Sequence, residues 1–598
     1  MTHNKKKFRE NFIDLKDSFL RFSIPWLCAV TASFLACYTQ FVKDTPTTHF
    51  NALFSLLIGI PFSLGVTLLF ESKKIKNSHF IAAILSVLVI TSHFLITKSE
   101  TNSNYFVSNL SVLLIFSSFF SFAPFLERAG WHGFWNFNYI LFQRFVLSFV
   151  YSGFLSLGFI FALLILKFII NISIDESYFM SSLLFSFIGF NILFFVIGLP
   201  RNFQELNKTP EYPNWLNILI QNLIIPFTLL YNAIMYVYLA KILFSWSLPE
   251  GKIGWLVSSL SVLGIICHFF LKPLKFEEKK KWCIFFERYF YILLLPLLYM
   301  LFVGLYSRIN EYGITENRYY LFASGIWLVF ICLYFIISKS KNIKIIPISL
   351  SIISLLTSFG PWSASHVALT SQISSFKSIL EKNKILVDGK ISSASHEISF
   401  DEEKRISGII DYIIDFHDFK SFSLLLPLND FNEILRNKDL TDKSQISHIR
   451  DSLLNKMNLK YISKWKEKNG NEIELRSTSF PRFQSINEFQ NFLGFNLNES
   501  NSSLSNDHIK INLNNQNSSL TLYKYDKELI DIPLSTFIRD TKKLSEEHNY
   551  MEEDFYVILN AKNKNAKVKI YFESIDYIEN RNSIDINSLK GFMFIQEK

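Results

Sequence analysis

The sequence predicts a polytopic α-helical membrane protein with about eleven transmembrane helices and a C-terminal soluble α+β domain. Hydrophobic residues make up 49% of the 598 residues, which is too apolar for a soluble protein of this length. Apolar runs recur through the first three-fifths of the chain, and each is close to the roughly 20 helical residues that cross a bilayer. After residue 360 these runs stop, and shorter amphipathic patterns replace them.

Eleven apolar runs are long enough to be read as spanning helices. In chain order they are residues 22–42, 51–70, 80–97, 105–125, 145–170, 178–198, 215–244, 253–271, 289–306, 320–338 and 343–359.

The distribution of charge predicts the orientation of these helices. Residues 1–360 contain 29 Lys and Arg against 17 Asp and Glu, a net charge of +12, whereas residues 361–598 contain 31 against 34, a net charge of −3. The basic residues cluster in the N-terminal segment and then in alternate loops, as cytoplasmic loops do. We therefore expect a cytoplasmic N-terminus and, after an odd number of crossings, an extracytoplasmic tail. If the last and weakest helix does not span, the tail would be cytoplasmic.

The predicted domain organisation follows from these runs. It comprises a basic cytoplasmic N-terminus (1–21), a transmembrane helical domain (22–359), a connecting helix (360–384) and a soluble α+β domain (385–598).

Local patterns predict the elements of the tail. Ser399 and Glu402 have the spacing of a capping box and open a helix whose isoleucines keep helical period. A further helix is expected over residues 442–457. Alternation predicts one hairpin over residues 509–525 and another over residues 555–572. The Asn- and Ser-rich stretch near residues 496–506 is expected to be a loop.

No pattern in the sequence identifies a cofactor, a metal or a reaction. The five cysteines all lie in or beside apolar runs, and the tail histidines His396 and His417 have no neighbouring Cys or second His. Phosphate-binding, dinucleotide-binding, zinc-protease and serine-hydrolase signatures are lacking in the sequence. We therefore expect no cofactor and no metal site, and the sequence leans against an enzyme. The basic excess belongs to the membrane half, so membrane lipid is the expected partner and nucleic acid is not.

The stretch RINEYGITENRYY, residues 308–320, concentrates charge in the outer loop between the ninth and tenth predicted helices. Gly313 suits a helix end that needs positive φ, and Thr315 with Glu316 suits the start of the next helix. One interpretation is a tight helical hairpin anchored by charge. The alternative is a mouth that binds an anionic headgroup or solute. The candidate binding residues are Arg308, Glu311, Tyr312, Glu316 and Arg318.

The seventh predicted helix carries a polar stripe. Gln221, Thr228, Asn232 and Tyr236 approximate one face, and Pro226 interrupts the helical hydrogen bonds between them. Such a stripe can line a path for a polar solute, or it can bond to neighbouring helices. No Asp or Glu lies near the middle of any span, which disfavours a conventional ion-coupled carrier.

Several blocks of sequence resemble the domain of unknown function 4153 (DUF4153) family. The motif R-I-x-x-Y-G-I-T-E-x-R-Y from residue 308 is the most specific, and similar blocks occur in order over about residues 134–380. They are FWNFNYILFQRF (134–145), PFTLLYNAIMYVYLAKIL and SLPEGKIGWLVS (within 226–258), RYFYILLLPLLYML (288–301) and GPWSASHVALTSQISSFKSIL (360–380). Ser375 departs from the basic residue expected there. The resemblance implies a multi-spanning protein of the bacterial inner membrane but implies no activity or functional residues. In that membrane, the orientation expected from the basic residues makes the tail periplasmic.

Three classes of function follow from these expectations. The first is a binding, sensing or scaffold protein whose tail recognises a component of the envelope. The second is a channel or facilitator for a small polar solute that uses residues 215–244. The third is a membrane-embedded enzyme acting on envelope lipid or glycan. The large tail without a catalytic motif favours the first class. The substrate and the oligomeric state have no signal in the sequence.

Overall fold

The structure is a computed structural model. It describes residues 15–42, 47–97, 103–127, 131–245, 253–274, 278–338, 341–387, 390–394, 398–417, 443–459, 461–462, 472–476, 489, 491–498, 503–505, 509–514, 518–525, 527–547, 557–564, 566–579 and 584–597. The chain divides into two compact units. Unit 1 contains Met1–Glu397 and Gly408–Lys460, and unit 2 contains Ile398–Ser407 and Tyr461–Lys598. Unit 1 therefore includes part of the predicted soluble domain as well as the membrane helices.

The membrane part of unit 1 is helical. Its helices are α1 (Leu15–Arg21), α2 (Ser23–Tyr38), α3 (Thr47–Ser72), α4 (Ser78–Ile96), α5 (Ser103–Phe122, followed by the 3₁₀ turn Ala123–Phe125), α6 (His132–Phe168), α7 (Glu176–Ile197), α8 (Asn214–Ser245), α9 (Ile253–Leu271), α10 (Lys281–Tyr312), α11 (Glu316–Ile337), α12 (Ile345–Ser358) and α13 (Ala364–Lys382). Two further helices are α14 (Phe400–Phe416), whose first residues belong to unit 2, and α15 (Lys443–Lys456).

Nine of the described helices are long and apolar enough to cross a membrane, or ten if α1 and α2, which meet at a 99° bend, form one broken span. The predicted class of protein is therefore confirmed. Some limits differ from the prediction: α6 begins at His132 rather than near residue 145, and α10 begins at Lys281 rather than near residue 289. Polar residues such as Arg144 interrupt the apolar run without interrupting the helix, because helix formation does not require apolar side chains.

The eleventh predicted helix corresponds to α12, which has only 14 residues and is shorter than the other spans. Contacts within unit 1 nevertheless place the two ends of this segment at opposite ends of α11. Just before α12, Asn342 N donates to Tyr334 Oη at 3.0 Å, near the end of α11. Just after it, Tyr319 Oη donates to the carbonyl of Trp362, near the start of α11. We call these two ends of unit 1 the Lys344 side and the Gly313 side.

Small residues let the helices of unit 1 approach closely. A Cβ at Gly65 in α3 would lie 2.7 Å from the Phe119 ring of α5. In α9, a Cβ at Gly264 would overlap the Phe290 ring of α10. Close approach through small residues is the usual basis of helix packing in membranes, because lipid provides little hydrophobic force between helices.

Unit 2 contains two antiparallel sheets. The larger sheet has the order β3-β10-β11-β4, with β9 also on β10, and the smaller has the order β5-β6-β7-β8. The strands of the larger sheet are β3 (Glu472–Arg476), β4 (Asn491–Asn498), β9 (Val557–Lys562), β10 (Ala566–Glu579) and β11 (Ile584–Glu597). Those of the smaller sheet are β5 (Ser503–Ser505), β6 (Ile509–Asn514), β7 (Ser519–Lys524) and β8 (Lys527–Pro533). One helix, α16 (Ser535–Glu547), follows β8, and a two-stranded pair, β1 (Leu386–Val387) with β2 (Lys390–Ile391), lies in unit 1.

Both predicted hairpins are confirmed, since β6 pairs with β7 and β9 pairs with β10. The expected loop near residues 496–506 is corrected, because β4 extends to Asn498 and β5 occupies Ser503–Ser505. Residues 499–502 lie outside the described part of the chain. In β4, Asn496 and Asn498 flank buried Leu497, and in β5 exposed Ser503 precedes partly buried Leu504, so polar and apolar side chains fall on opposite faces of the strands.

Gly591 provides a test of the larger sheet. It pairs with Phe572 across β10 and β11, and a Cβ at this position would lie 2.1 Å from the backbone oxygen of Tyr571. Because backbone atoms cannot move aside cheaply, Gly591→Ala should destabilise unit 2 by about 1–3 kcal/mol. This destabilisation is measured by thermal unfolding of the full-length protein in detergent and by amide exchange of β10 and β11.

The matched control is Gly494→Ala in the adjacent strand β4. A Cβ there would meet only the Phe592 ring, at 3.6 Å, which is ordinary contact. Equal melting temperatures for the two variants would contradict the register described for β10 and β11.

Candidate functional site

The charged loop on the Gly313 side joins α10 to α11. Gly313 has φ of +74°, which confirms the positive φ predicted at this helix end. A Cβ at Gly313 would also lie 2.8 Å from Nε2 of Gln372 in α13. Arg318 Nη1 donates to the Gly313 carbonyl at 2.7 Å. Position 313 therefore requires glycine, because a larger residue would be strained at this φ and its Cβ would overlap Gln372.

Helix α13 is bonded to this loop through main-chain groups. Gln372 Nε2 donates to the carbonyls of Tyr312 and Ile314 at 3.1 and 2.9 Å. Ile314 N donates to Ser371 Oγ at 3.1 Å. These bonds satisfy backbone groups that the tight turn leaves without helical partners.

Glu316 lies at the centre of the site. It is the first residue of α11 and is only 5% exposed. Tyr412 Oη donates to Glu316 Oε2. His417 Nε2 lies 3.0 Å from Glu316 Oε1 and 3.2 Å from Tyr412 Oη. We call Glu316, Tyr412 and His417 the Glu316 cluster, and all three belong to unit 1.

The local structure of α14 explains how two of these side chains reach Glu316. Ile409, Ile410 and Ile413 are buried, so one face of the helix packs inward at helical period, as the sequence predicts. Tyr412 stacks on Phe416 with ring centroids 5.2 Å apart. His417 follows the last helical residue, and its N–H donates to the Ile413 carbonyl at 3.0 Å.

The electrostatics of the cluster favour a protonated Tyr412. Burial, together with the neighbouring Glu316 carboxylate, raises the pKa of the Tyr412 phenol well above its usual range. The phenol therefore remains a hydrogen-bond donor to Glu316 at neutral pH. Because an unfolded tyrosine ionises near pH 10, the stabilisation from this raised pKa is fully present below about pH 10 and is lost as the pH rises further.

The other predicted binding residues of the loop lie around the cluster. The Arg318 guanidinium lies 5.5 Å from the centre of the Tyr312 ring. Glu311 and Tyr312 are exposed, whereas Arg308 and Arg318 are partly buried. The structure therefore places the five predicted residues in one neighbourhood but buries only Glu316.

The polar stripe of the seventh predicted helix is occupied mainly by bonds to neighbouring elements. Gln221 Nε2 donates to the Glu278 carbonyl at 3.0 Å, and Gln221 Oε1 accepts from Lys280 N at 2.8 Å. Tyr236 Oη donates to a carbonyl of α10 at 2.8 Å. Thr228 bonds within its own helix at 2.8 Å and approaches Cys267 Sγ at 3.5 Å.

Asn232 differs from the rest of that stripe. Its side chain is 4% exposed, and its Nδ2 has no hydrogen-bond partner among the described residues. Several other side chains of unit 1 share this property, among them His268 and Tyr291: both ring nitrogens of His268 and the hydroxyl of Tyr291 are buried without partners in the described structure. The His268 ring lies 5.3 Å from the Tyr291 ring, centroid to centroid.

No pattern in the sequence indicates that Tyr412 or His417 belongs to a functional site. The sequence shows only that His417 has no neighbouring Cys or second His. Tyr412 is 96 residues from Glu316 in sequence, so no local spacing connects them. Among the residues that the structure describes, no group of three or more His, Cys, Asp and Glu side chains could hold a metal ion.

Comparisons with known proteins identify a family but no activity. The family described as "Domain of unknown function (DUF4153)" matches residues 23–378. The chain is also 28% identical over 221 residues to an uncharacterised protein of Pasteurella multocida (strain Pm70). That alignment covers 36% of this chain and 36% of the relative, so the match spans about a third of the relative's length. No solved structure matches.

The Glu316 cluster predicts a specific effect of substitution. Glu316→Ala removes the acceptor of the buried Tyr412 and His417 groups, and leaving a buried donor unsatisfied costs about 1–3 kcal/mol. If α14 opens locally, amide exchange of residues 408–417 should accelerate by about 5- to 150-fold. Hydrogen exchange with mass spectrometry on the full-length protein measures this.

Glu311→Ala is the control, since it removes an exposed carboxylate from the same loop at a cost of about 0–1 kcal/mol. Exchange of residues 408–417 that stays at the wild-type rate in both variants would show that Glu316 does not hold this segment.

Proposed function

Because this chain belongs to the DUF4153 family, whose description assigns no activity, we propose a function from the chain's own contacts. We propose a sensing or scaffold protein of the bacterial inner membrane. Its tail binds a component of the envelope, and the Glu316 cluster couples the tail to the membrane helices. The observation that supports this proposal is the buried carboxylate of Glu316, bound by Tyr412 and His417.

The coupling follows from where α14 begins and ends. The helix begins at Phe400, in the stretch assigned to unit 2, and ends at Phe416, next to His417. A ligand that shifts or frays α14 would separate Tyr412 and His417 from Glu316. Breaking a buried contact is costly, so we propose that this segment switches between a state bound to Glu316 and a released state. Such an element suits a signal that passes from tail to membrane.

The orientation of the proposed sensor rests on the basic residues of the Lys344 side. Lys73, Lys272, Lys279, Lys341 and Lys344 all lie there, at helix ends or in connecting loops. By the positive-inside rule the Lys344 side is cytoplasmic. Because the Gly313 side lies at the other end of the spanning helix α11, the Gly313 side and the Glu316 cluster are then periplasmic.

Reporter fusions test this orientation. Alkaline phosphatase joined after Gly360 or at the C-terminus should be active, because the enzyme matures only outside the cytoplasm. A fusion after Ile75, in the turn that follows α3, is the internal control and should be inactive. Activity only after Ile75 would reverse the proposed sidedness.

The burial of Glu316 favours coupling over catalysis. Both carboxylate oxygens are engaged by Tyr412 and His417, and the side chain is almost inaccessible. A general acid or base must reach its substrate directly or through one water. The geometry of Glu316 therefore supports an enzyme less well than it supports a contact between two parts of the chain.

A facilitator for a small polar solute is the second candidate. It is favoured by the buried, unpartnered polar atoms of Asn232, His268 and Tyr291 in the described interior of unit 1. Unpaired polar groups in an apolar interior are costly, and a passing solute or water would satisfy them. The other three members of the predicted stripe already have bonds, which leaves this candidate with less support.

Complementation of a chromosomal deletion distinguishes the two candidates. Survival under a panel of envelope stresses is measured for strains with equal amounts of membrane-inserted protein. If the chain is a sensor, deletion of residues 385–598 and Glu316→Ala should each give the deletion phenotype, whereas Asn232→Leu should complement. The control Glu311→Ala should complement as well. Full complementation by the truncated chain, with loss in Asn232→Leu, would contradict the sensor and favour the facilitator.

A further inference from the structure

A cavity of about 390 Å³ lies on the Lys344 side of unit 1. One wall comes from the end of α3 and the turn after it, and the other comes from the end of α5 and the residues after it. The lining residues are Leu69, Ser72, Lys73, Ile75, Ala123, Pro124, Leu126 and Glu127. Since α3 and α5 are both membrane-spanning helices, the cavity lies where the chain leaves the hydrocarbon.

The cavity carries one positive and one negative side chain. Lys73 Nζ lies 2.5 Å from Glu127 Oε1, and the two side chains are 37% and 72% exposed. Exposed ion pairs contribute little to stability, because water screens them and both side chains lose freedom. A ligand that supplies its own opposite charges can therefore replace this pair at little cost.

Exposed apolar side chains adjoin these charges. Ile75 and Leu126 are 37% and 49% exposed, and both line the cavity beside the charged pair. Polar and apolar surface thus meet in one cavity at the edge of the membrane. A molecule with a charged head and an apolar body matches this arrangement.

The wall that contains Ala123 and Pro124 is preformed. Ala123 and Phe125 are fully buried, and Pro124 restricts the backbone of the 3₁₀ turn. Lys344 Nζ donates to the Phe125 carbonyl at 3.3 Å. A preformed wall lowers the cost of ordering the site when a ligand binds.

We propose that this cavity binds the head group of a phospholipid that carries a primary ammonium, as phosphoethanolamine does. The lipid phosphate accepts hydrogen bonds from Lys73, and the ammonium donates to Glu127. The glycerol region lies against Ile75 and Leu126. A head group that carries only a phosphate would pair with Lys73 but would leave the Glu127 carboxylate beside another negative charge. A trimethylated ammonium would supply charge without N–H donors.

The proposal does not depend on the proposed sensing function, because it concerns the opposite side of unit 1. Full-length protein is purified in detergent and mixed with equal amounts of phosphatidylethanolamine and phosphatidylglycerol with identical acyl chains. Native mass spectrometry then measures the ratio of the two retained lipids. The wild-type protein should retain phosphatidylethanolamine preferentially.

Each cavity charge should affect lipid retention in its own way. Glu127→Gln should lower the retained ratio by about two- to fivefold, the factor that corresponds to one exposed charged contact. Lys73→Gln should instead weaken retention of both lipids by a similar factor. The controls Lys74→Gln and Glu211→Gln change the same charges at exposed positions outside the cavity lining, and both should keep the wild-type ratio.

Three results would overturn the proposal. One is equal retention of phosphatidylethanolamine and phosphatidylglycerol by the wild-type protein. Another is an equal shift in the control variants, which would reflect net charge and not this cavity. The third is retention of phosphatidylcholine as strong as that of phosphatidylethanolamine, which would show that the ammonium N–H groups are not recognised.

Discussion

In the hydrocarbon of a membrane, every backbone N–H and C=O group must find its partner within the protein, and the structure of unit 1 depends on this constraint. Polar side chains inside the spans also need hydrogen-bond partners, and several serines find them within their own helix. Ser55, Ser86 and Ser261 each donate to the carbonyl four residues earlier, at 2.6–2.7 Å. Once bonded in this way, a serine behaves as a small residue and lets a neighbouring helix approach. Pro226, which has no N–H, follows a π-helical segment (Leu219–Ile224), and a wider turn is one way to accommodate a missing helical bond.

Local signals in the sequence predict the elements whose stabilising partners are close in the chain. The apolar runs predict nearly every span, and alternation predicts the hairpins β6-β7 and β9-β10, because each pairing is between neighbours. Strand β11 has weaker alternation. Its pairing with β10 shifts register between Phe572 and Ser574 and again between Asp576 and Tyr577. The first irregularity adds Glu573 to β10, whereas the second adds Asn587 to β11 and breaks its period of two, so the pattern of β11 does not identify a strand by itself.

The candidate site was predictable only in part, for a similar reason. The density of charge in residues 308–320 draws attention to Glu316, and the need for positive φ at Gly313 follows from the turn. The partners of Glu316 come from a segment almost one hundred residues later, and their approach is a product of tertiary packing. Gln221 shows the converse. Its position in an amide stripe suggests a path for solute, but its side chain instead bonds the backbone of Glu278 and Lys280, where the chain leaves the membrane and its amides need partners.

The charged contacts on the two sides of unit 1 differ in exposure, and this difference is the basis for the different roles proposed for them. Glu316 is 5% exposed, and leaving a buried polar partner of such a contact unsatisfied costs about 1–3 kcal/mol. This cost is what the proposed coupling through the Glu316 cluster depends on. Lys73 and Glu127 are largely exposed, and their pair contributes only about 0–1 kcal/mol. Such a pair can open for each molecule that binds without altering the fold. The Gly313 side is thus suited to switching between two states, and the Lys344 side is suited to reversible binding.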